Sequence, residues 1–194
     1  MGIRERRQRE IEAVKAHILQ AARDIALKKG WPTVSIRKIA EIIEYTPPVI
    51  YEHYKNKEAI LAALESLGFE ELKKKLDDAA RETKEADKQL KELSLAYWNF
   101  AFEFPELYQV MYNLEGTQSA SPNHQAIRES GNAVIETLRY LHTFPAQRES
   151  IFFNWWSLAH GYVSLVMSGQ LPGMQDQMKQ YFLEAVERLQ ARMS

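Results

Sequence analysis

The chain has 194 residues, 45% hydrophobic and 26% charged, with a net charge of −1 and no cysteine. This is the composition of a folded globular protein, and it excludes disulfide frameworks, thiolate chemistry and cysteine-based zinc sites. No apolar segment of the secretion-signal kind follows Met1, and no stretch approaches the roughly 18 uninterrupted apolar residues of a membrane span, so a cytoplasmic protein with no membrane partner is expected.

The small net charge hides an asymmetry. Residues 1–60 hold 12 Lys and Arg against 8 Asp and Glu, a net of +4, and the remainder carries −5. A basic N-terminal third suits a module that touches phosphate, with ordinary charge scatter as the alternative. Residues 1–10, MGIRERRQRE, place Arg4, Arg6, Arg7 and Arg9 ahead of the first apolar stripe. They read either as a basic arm that reaches nucleic acid or as a solvated helix extension with Arg–Glu pairs. From Ile11 the stripe Ile11, Val14, Ile18, Ala22 and Ile25 predicts a long amphipathic helix. It ends at Lys28-Lys29-Gly30, with basic residues at the negative end and glycine just beyond. Trp31-Pro32 then forces a turn, and Trp31 is expected to pack over the core.

The stretch 35–57, SIRKIAEIIEYTPPVIYEHYKNK, predicts two short helices joined by a tight turn. The first runs from Ser35, an N-cap candidate, to Ile43, with Ile36, Ile39, Ala40 and Ile43 on one buried face. The second starts at Thr46, another N-cap candidate, passes through Pro47 and Pro48 in its first turn, and continues to Tyr54. Neither folds alone. Holding two such helices rigid suits a helix-turn-helix, whose second helix lies in the DNA major groove.

The wider pattern is Ile18-Leu19-x-Ala21-Ala22, Gly30-Trp31, Thr33-Val34-Ser35-Ile36-Arg37-x-Ile39-Ala40 and Tyr51-x-x-Tyr54-x-x-Lys57-Glu58-x-Ile60-Leu61. It resembles the N-terminal domain of the TetR family of transcriptional repressors. The resemblance implies phosphate contacts by Tyr51 and Lys57, and a buried aromatic at Tyr54. The chemistry of the remaining residues adds Ser35 and Thr46 hydroxyls and backbone amides, the Arg37 and Lys38 side chains, and His53, which reaches a base edge or a phosphate. The candidate DNA-contacting set is Ser35, Arg37, Thr46, Pro47, Tyr51, His53 and Lys57. One departure stands out: the family usually has a small residue, often Gly, in the turn where this chain has Glu44. If that position takes a positive φ, a non-glycine residue costs roughly 1 kcal/mol there, and a carboxylate near DNA repels phosphate.

Asn56 can cap the next helix, expected from Lys57 to about Ala80, with Ile60, Leu61, Leu64, Leu67, Leu72 and Leu76 inward. Residues 81–88 break the apolar pattern and read as a connection. From Leu90 to Phe104 apolar residues occur on most sides, and Pro105 starts a short aromatic helix to Tyr112. Residues 116–122, GTQSASP, predict a loop, and a helix is expected from about His124 to His142. Further helices are expected over Ile151 to Gly169 and Met174 to Met193. Their wide apolar faces suit a dimer built by four-helix packing. The Trp156-x-x-x-His160-Gly161 spacing is similar to a Trp…His-Gly signature of some TetR-family ligand-binding domains.

The histidines at 17, 53, 124, 142 and 160 form no i, i+4 pair, and GxSxG, GxGxxG and GxxxxGK[ST] are absent. No catalytic residue, metal or cofactor is therefore expected. Trp98, Phe102, Tyr108, Met111, Tyr112, Phe152, Trp155 and His160 read either as the lining of an apolar effector cavity with a few polar handles or as plain helix packing. The expectation is an all-α protein, with a three-helix helix-turn-helix DNA-binding domain over 1–56 and a helical ligand-binding and dimerisation domain over 57–194. Its expected function is that of a homodimeric repressor on a near-palindromic double-stranded operator, released by a small apolar or aromatic effector. The alternatives are an all-helical small-molecule-binding protein or enzyme with a degenerate head, and a helical adaptor.

Overall fold

The computed structural model describes residues 2–114, 124–141 and 144–191. The loop expected at 116–122 and the histidine at 142 lie outside them. Every regular element among the described residues is helical, so the fold is all-α as the patterning predicts. The chain divides into two compact units, Met1–Gly68 with Phe104–Pro122, and Phe69–Glu103 with Asn123–Ser194.

The first unit holds α1 (Ile3–Lys29), a 3-10 turn (Trp31–Thr33), α2 (Ile36–Ile42), α3 (Pro47–His53), the opening turns of α4 (Lys57–Glu82) and α6 (Pro105–Met111). Its core contains Ile18, Ala22, Trp31, Ile39, Ala40, Ile50 and Ile60, all buried, while Ile36 and Ile43 are half-buried. Helix α1 starts well before the Ile11 stripe. Of the two readings of the N-terminal arginines, the helix extension is the one that forms, with Arg6 paired to Glu10 at 2.9 Å on an exposed face. Such an i, i+4 pair adds only a few tenths of a kcal/mol.

Two of the three expected caps form. Ser35 Oγ accepts from the Lys38 N–H at 3.4 Å, and Asn56 Oδ1 accepts from the Ala59 N–H at 2.9 Å. Thr46 occupies the N-cap position of α3, but its hydroxyl makes no cap bond. The two prolines explain this: they leave Val49 as the first backbone donor of the helix, and that N–H goes to the Thr46 carbonyl at 3.0 Å.

The second unit holds the rest of α4, α5 (Ala86–Glu103), α7 (His124–Ser130), α8 (Asn132–Tyr140), α9 (Pro145–Met167) and α10 (Gln175–Ala191). Helices α5, α8, α9 and α10 pack on one another. The connection expected over 81–88 is shorter, because α4 runs to Glu82 and α5 starts at Ala86. Gln89 bridges it: its Nε2 donates to the carbonyls of Ala80 and Thr83, and its Oε1 accepts from the Thr137 hydroxyl at 2.8 Å. Helix α9 begins six residues before the expected start, with Pro145 in its first turn, where proline needs no N–H.

The single helix expected over 124–142 is two helices meeting at Gly131. A Cβ built on Gly131 would lie 2.5 Å from Cζ of Phe152 and closer still to Cε2, so the glycine is where α9 comes up against this segment.

Candidate functional site

The turn between α2 and α3 fixes the geometry of the head. The Tyr45 N–H donates to the Ala40 carbonyl at 2.9 Å, and the Glu44 N–H to the Glu41 carbonyl at 3.4 Å. This pair of bonds is a Schellman motif, which needs a left-handed residue just past the helix end. That residue is Glu44, at φ 59°. The carboxylate side chain therefore occupies a position where glycine costs nothing.

The candidate DNA-contacting residues all belong to the first unit, on α2, α3 and the residues flanking them. Arg37, Thr46 and Tyr51 are exposed, and Ser35, Pro47, His53 and Lys57 are half-buried. Tyr51, at 54% exposure, is a large aromatic with no core role. Lys57 has a second task. Its Nζ donates to the Trp31 carbonyl at 3.1 Å, and burial lowers its pKa while Glu58 pulls the other way. An ammonium carries three donors, so this bond leaves capacity for a phosphate. Lys38 similarly donates to the Thr33 carbonyl at 2.9 Å. Tyr54, expected in the core, is half-buried, with its phenol pKa raised by burial and then by Glu12.

The eight aromatic and polar candidates for an effector site divide between the units. Tyr108, Met111 and Tyr112 belong to the first, on or just after α6. Tyr108 and Met111 are buried, and the Tyr108 and Tyr112 rings are 4.7 Å apart. Met111 packs over Gly68, where a Cβ would meet its Sδ at 2.6 Å. Sequence reasoning missed what anchors α6. Glu106, 2% exposed, receives Arg23 Nε at 2.8 Å and Nη2 at 2.7 Å on one carboxylate oxygen. Trp31 Nε1 donates to the Glu106 carbonyl at 3.1 Å, and the Arg23 guanidinium lies 5.7 Å from the Phe104 ring centre.

Trp98, Phe102, Phe152, Trp155 and His160 belong to the second unit. Trp98 stacks on Phe182 and leans on Phe102, with ring centres 6.0 Å and 4.9 Å away. Trp155 is buried between Tyr97 and Phe152, and its Nε1 donates to Ser94 Oγ at 2.9 Å. His160 stacks on Trp156 at 5.5 Å and has its Nε2 3.4 Å from Ser164 Oγ. Burial lowers its pKa, which favours the neutral ring. Phe152 also floors a cavity of about 250 Å³, shared with Phe153, Ile135, Arg128, Arg139, Arg148 and Glu149. Among the described residues, no group of three or more His, Cys, Asp or Glu is placed to hold a metal, and no helix is long and apolar enough to cross a membrane.

Comparison with known proteins agrees with both halves of the chain. Residues 18–64 match the family model of bacterial regulatory proteins of the tetR family. Residues 90–189, just over half of the chain, match the tetracyclin repressor-like C-terminal domain. The chain belongs to the TetR family. This is a family of DNA-binding transcriptional regulators and not of enzymes.

An uncharacterized HTH-type transcriptional regulator, YobS of Bacillus subtilis strain 168, is 33% identical over 92 residues. The match covers 47% of this chain, which spans about half (48%) of that relative's length. Among solved structures, a protein of unknown function from Rhodococcus sp. RHA1 has a TM-score of 0.74 at 23% identity, covering 90% of this chain and 93% of that one. A TetR variant from Acinetobacter baumannii AYE, in complex with minocycline, has a TM-score of 0.65 at 21% identity over the same shares. The TetR-family regulator PfmR of Thermus thermophilus has a TM-score of 0.65 at 16% identity, over 88% and 94%. These likenesses show the fold.

Within this TetR-family head the strain at Glu44 has a measurable consequence. Glu44→Gly is expected to raise stability by about 1 kcal/mol, since the left-handed conformation costs an L-residue roughly that much. Urea unfolding of both proteins measures it. An unchanged or lower midpoint would show that Glu44 makes a contact that outweighs the strain.

Proposed function

We propose that this TetR-family protein is a homodimeric repressor whose two heads, each over residues 1–56, bind a near-palindromic operator. The body, over 57–194, would dimerise and take a small apolar or aromatic effector. One observation carries the DNA reading: Arg37, Thr46 and Tyr51 are exposed around a turn held by a Schellman motif, with Ser35, Pro47, His53 and Lys57 half-exposed beside them. Rigid presentation of a short helix with flanking phosphate donors is what major-groove docking requires.

Support for the dimer comes from α9. It buries Phe152, Trp155, Ala159 and Val163 on one side. On the other, Leu165 is exposed, and apart from the helix's own neighbouring backbone no described atom lies within 4 Å of where a side chain on Gly161 would begin. Tyr181 is exposed on α10 as well. Support for an effector comes from the aromatic residues of the second unit, with His160 as a polar handle and the Trp156–His160–Gly161 spacing beside it, and from the minocycline complex of a protein that shares the fold. An effector releases DNA only by binding the non-DNA state more tightly, typically by about 1–3 kcal/mol. Contact with an operator places the protein in the cytoplasm.

Fluorescence anisotropy against the gene's own upstream DNA, at several salt concentrations, tests the reading. The wild type should bind with affinity that falls steeply in salt. The Arg37→Ala, Tyr51→Phe, Lys57→Ala triple variant should show a slope of log affinity against log salt that is shallower by about two, one for each lost cation. Selection from random DNA that enriches no sequence would sink the repressor reading.

A further inference from the structure

The exposed face of α3 has an unusual chemistry for a helix that reads DNA. Pro48, Tyr51 and Glu52 are exposed at i, i+3 and i+4, forming one outward stripe, while Ile50 is buried and Pro47, Val49 and His53 are half-buried. The helix is PPVIYEH and contains no Arg, Lys, Asn or Gln. Asn56, just beyond it, uses its side chain to cap α4. The side chains that hold guanine through O6 and N7, or adenine through N6 and N7, are therefore missing from this helix. Besides the Tyr51 phenol, which the family resemblance gives to phosphate, the stripe offers a carboxylate and an apolar ring. Among the described residues Glu52 forms no ion pair and no side-chain hydrogen bond, so its two oxygens keep their full accepting capacity.

We infer that α3 reads cytosine through the Glu52 carboxylate and a thymine methyl through Pro48, so that each half-site carries a C·G pair and a T·A pair at those positions. The inference rests on the DNA-binding reading above. In the major groove the exocyclic N4 amine of cytosine is a donor, and a carboxylate accepts from it; the thymine C5 methyl offers an apolar surface that a proline ring covers. Guanine presents only acceptors there, thymine an acceptor beside its methyl, and adenine a donor, N6, next to the N7 acceptor that repels a carboxylate, so cytosine suits Glu52 best; the methyl belongs to thymine alone. A carboxylate in the groove also weakens phosphate attraction everywhere. Binding to unrelated DNA is weakened without compensation, and only a correctly placed cytosine offsets the loss.

Selection from a random double-stranded library tests this, with wild-type protein and the Glu52→Gln variant run side by side. The wild type is expected to enrich a half-site with an invariant cytosine. Glu52→Gln should change that position toward adenine, whose N6 and N7 suit an amide, with a preference of roughly tenfold over cytosine. Replacing thymine by deoxyuridine in the selected site removes only the methyl. It should weaken wild-type binding about threefold at one position, and Pro48→Ala should abolish that difference. If the wild type enriches a site but Glu52→Gln enriches the same bases at every position, the cytosine assignment is overturned while the repressor reading stands. Insensitivity to deoxyuridine at every thymine overturns the Pro48 assignment in the same way. If the wild type enriches nothing, both this inference and the repressor reading fall.

Discussion

Glu106→Ala is expected to destabilise the protein by about 3 kcal/mol, the lower end of what breaking a buried ion pair costs. Glu106 is 2% exposed and Arg23 18%, so removal of the carboxylate leaves a guanidinium mostly out of water with no counter-charge in place. The second Glu106 oxygen, Oε2, is buried and has no hydrogen-bond partner among the described residues. The native pair is thus imperfectly satisfied, and its net worth is far less than the cost of breaking it. The double variant Arg23→Met, Glu106→Met should therefore recover most of the loss. Urea unfolding of Arg23→Met, Glu106→Met and the double gives the coupling directly. A single-variant loss below about 1 kcal/mol would show that water reaches the pair and that it does not anchor α6. Since α6 carries Tyr108 and Met111 and packs on α1, the same variants should also alter any effector response that passes through this helix.

Gly131→Ala is the second large effect, expected to cost about 1–3 kcal/mol through overpacking. The new methyl would sit 2.5 Å from Phe152 Cζ, a separation that real side chains do not show. Phe152 is itself 2% exposed and held among Phe153 and Trp155, so its ring cannot swing away cheaply. Phe152→Leu alone should also destabilise, by the volume it removes. Combined with Gly131→Ala, however, the loss should be smaller than the sum of the two single losses, because the smaller side chain makes room for the methyl. Strict additivity in thermal or urea unfolding would mean that the segment relaxes at Gly131 without pressing on Phe152.

The head was legible from sequence because its signals are local. A cap at Ser35, the Ile39–Ala40 stripe, the Tyr51–Lys57 spacing and the cap at Asn56 each depend on neighbours within a few residues. Glu44 stood out only through the resemblance, as a departure from the family's small turn residue, and the positive φ that was conditional in the sequence is what the Schellman motif imposes. Thr46 does not form the cap bond expected of it, although the reason, two following prolines, is also local.

The effector region is different in kind. An apolar stripe says that a side chain is covered, and it does not say by what. The aromatic set from Trp98 to His160 reads from sequence either as cavity lining or as helix packing, and the structure assigns three members to one unit and five to the other. Arg23 and Glu106 are 83 positions apart and nothing between them announces their pairing, just as nothing near Gly131 announces Phe152. The helices, most of their caps and the family could thus be read from the order of residues alone. Which side chains meet, where an expected helix breaks, and which charges are buried together followed only from the folded arrangement. Periodicity and capping are written in contacts three or four residues apart, whereas burial of a charge or crowding of a glycine depends on elements that the chain brings together only when it folds.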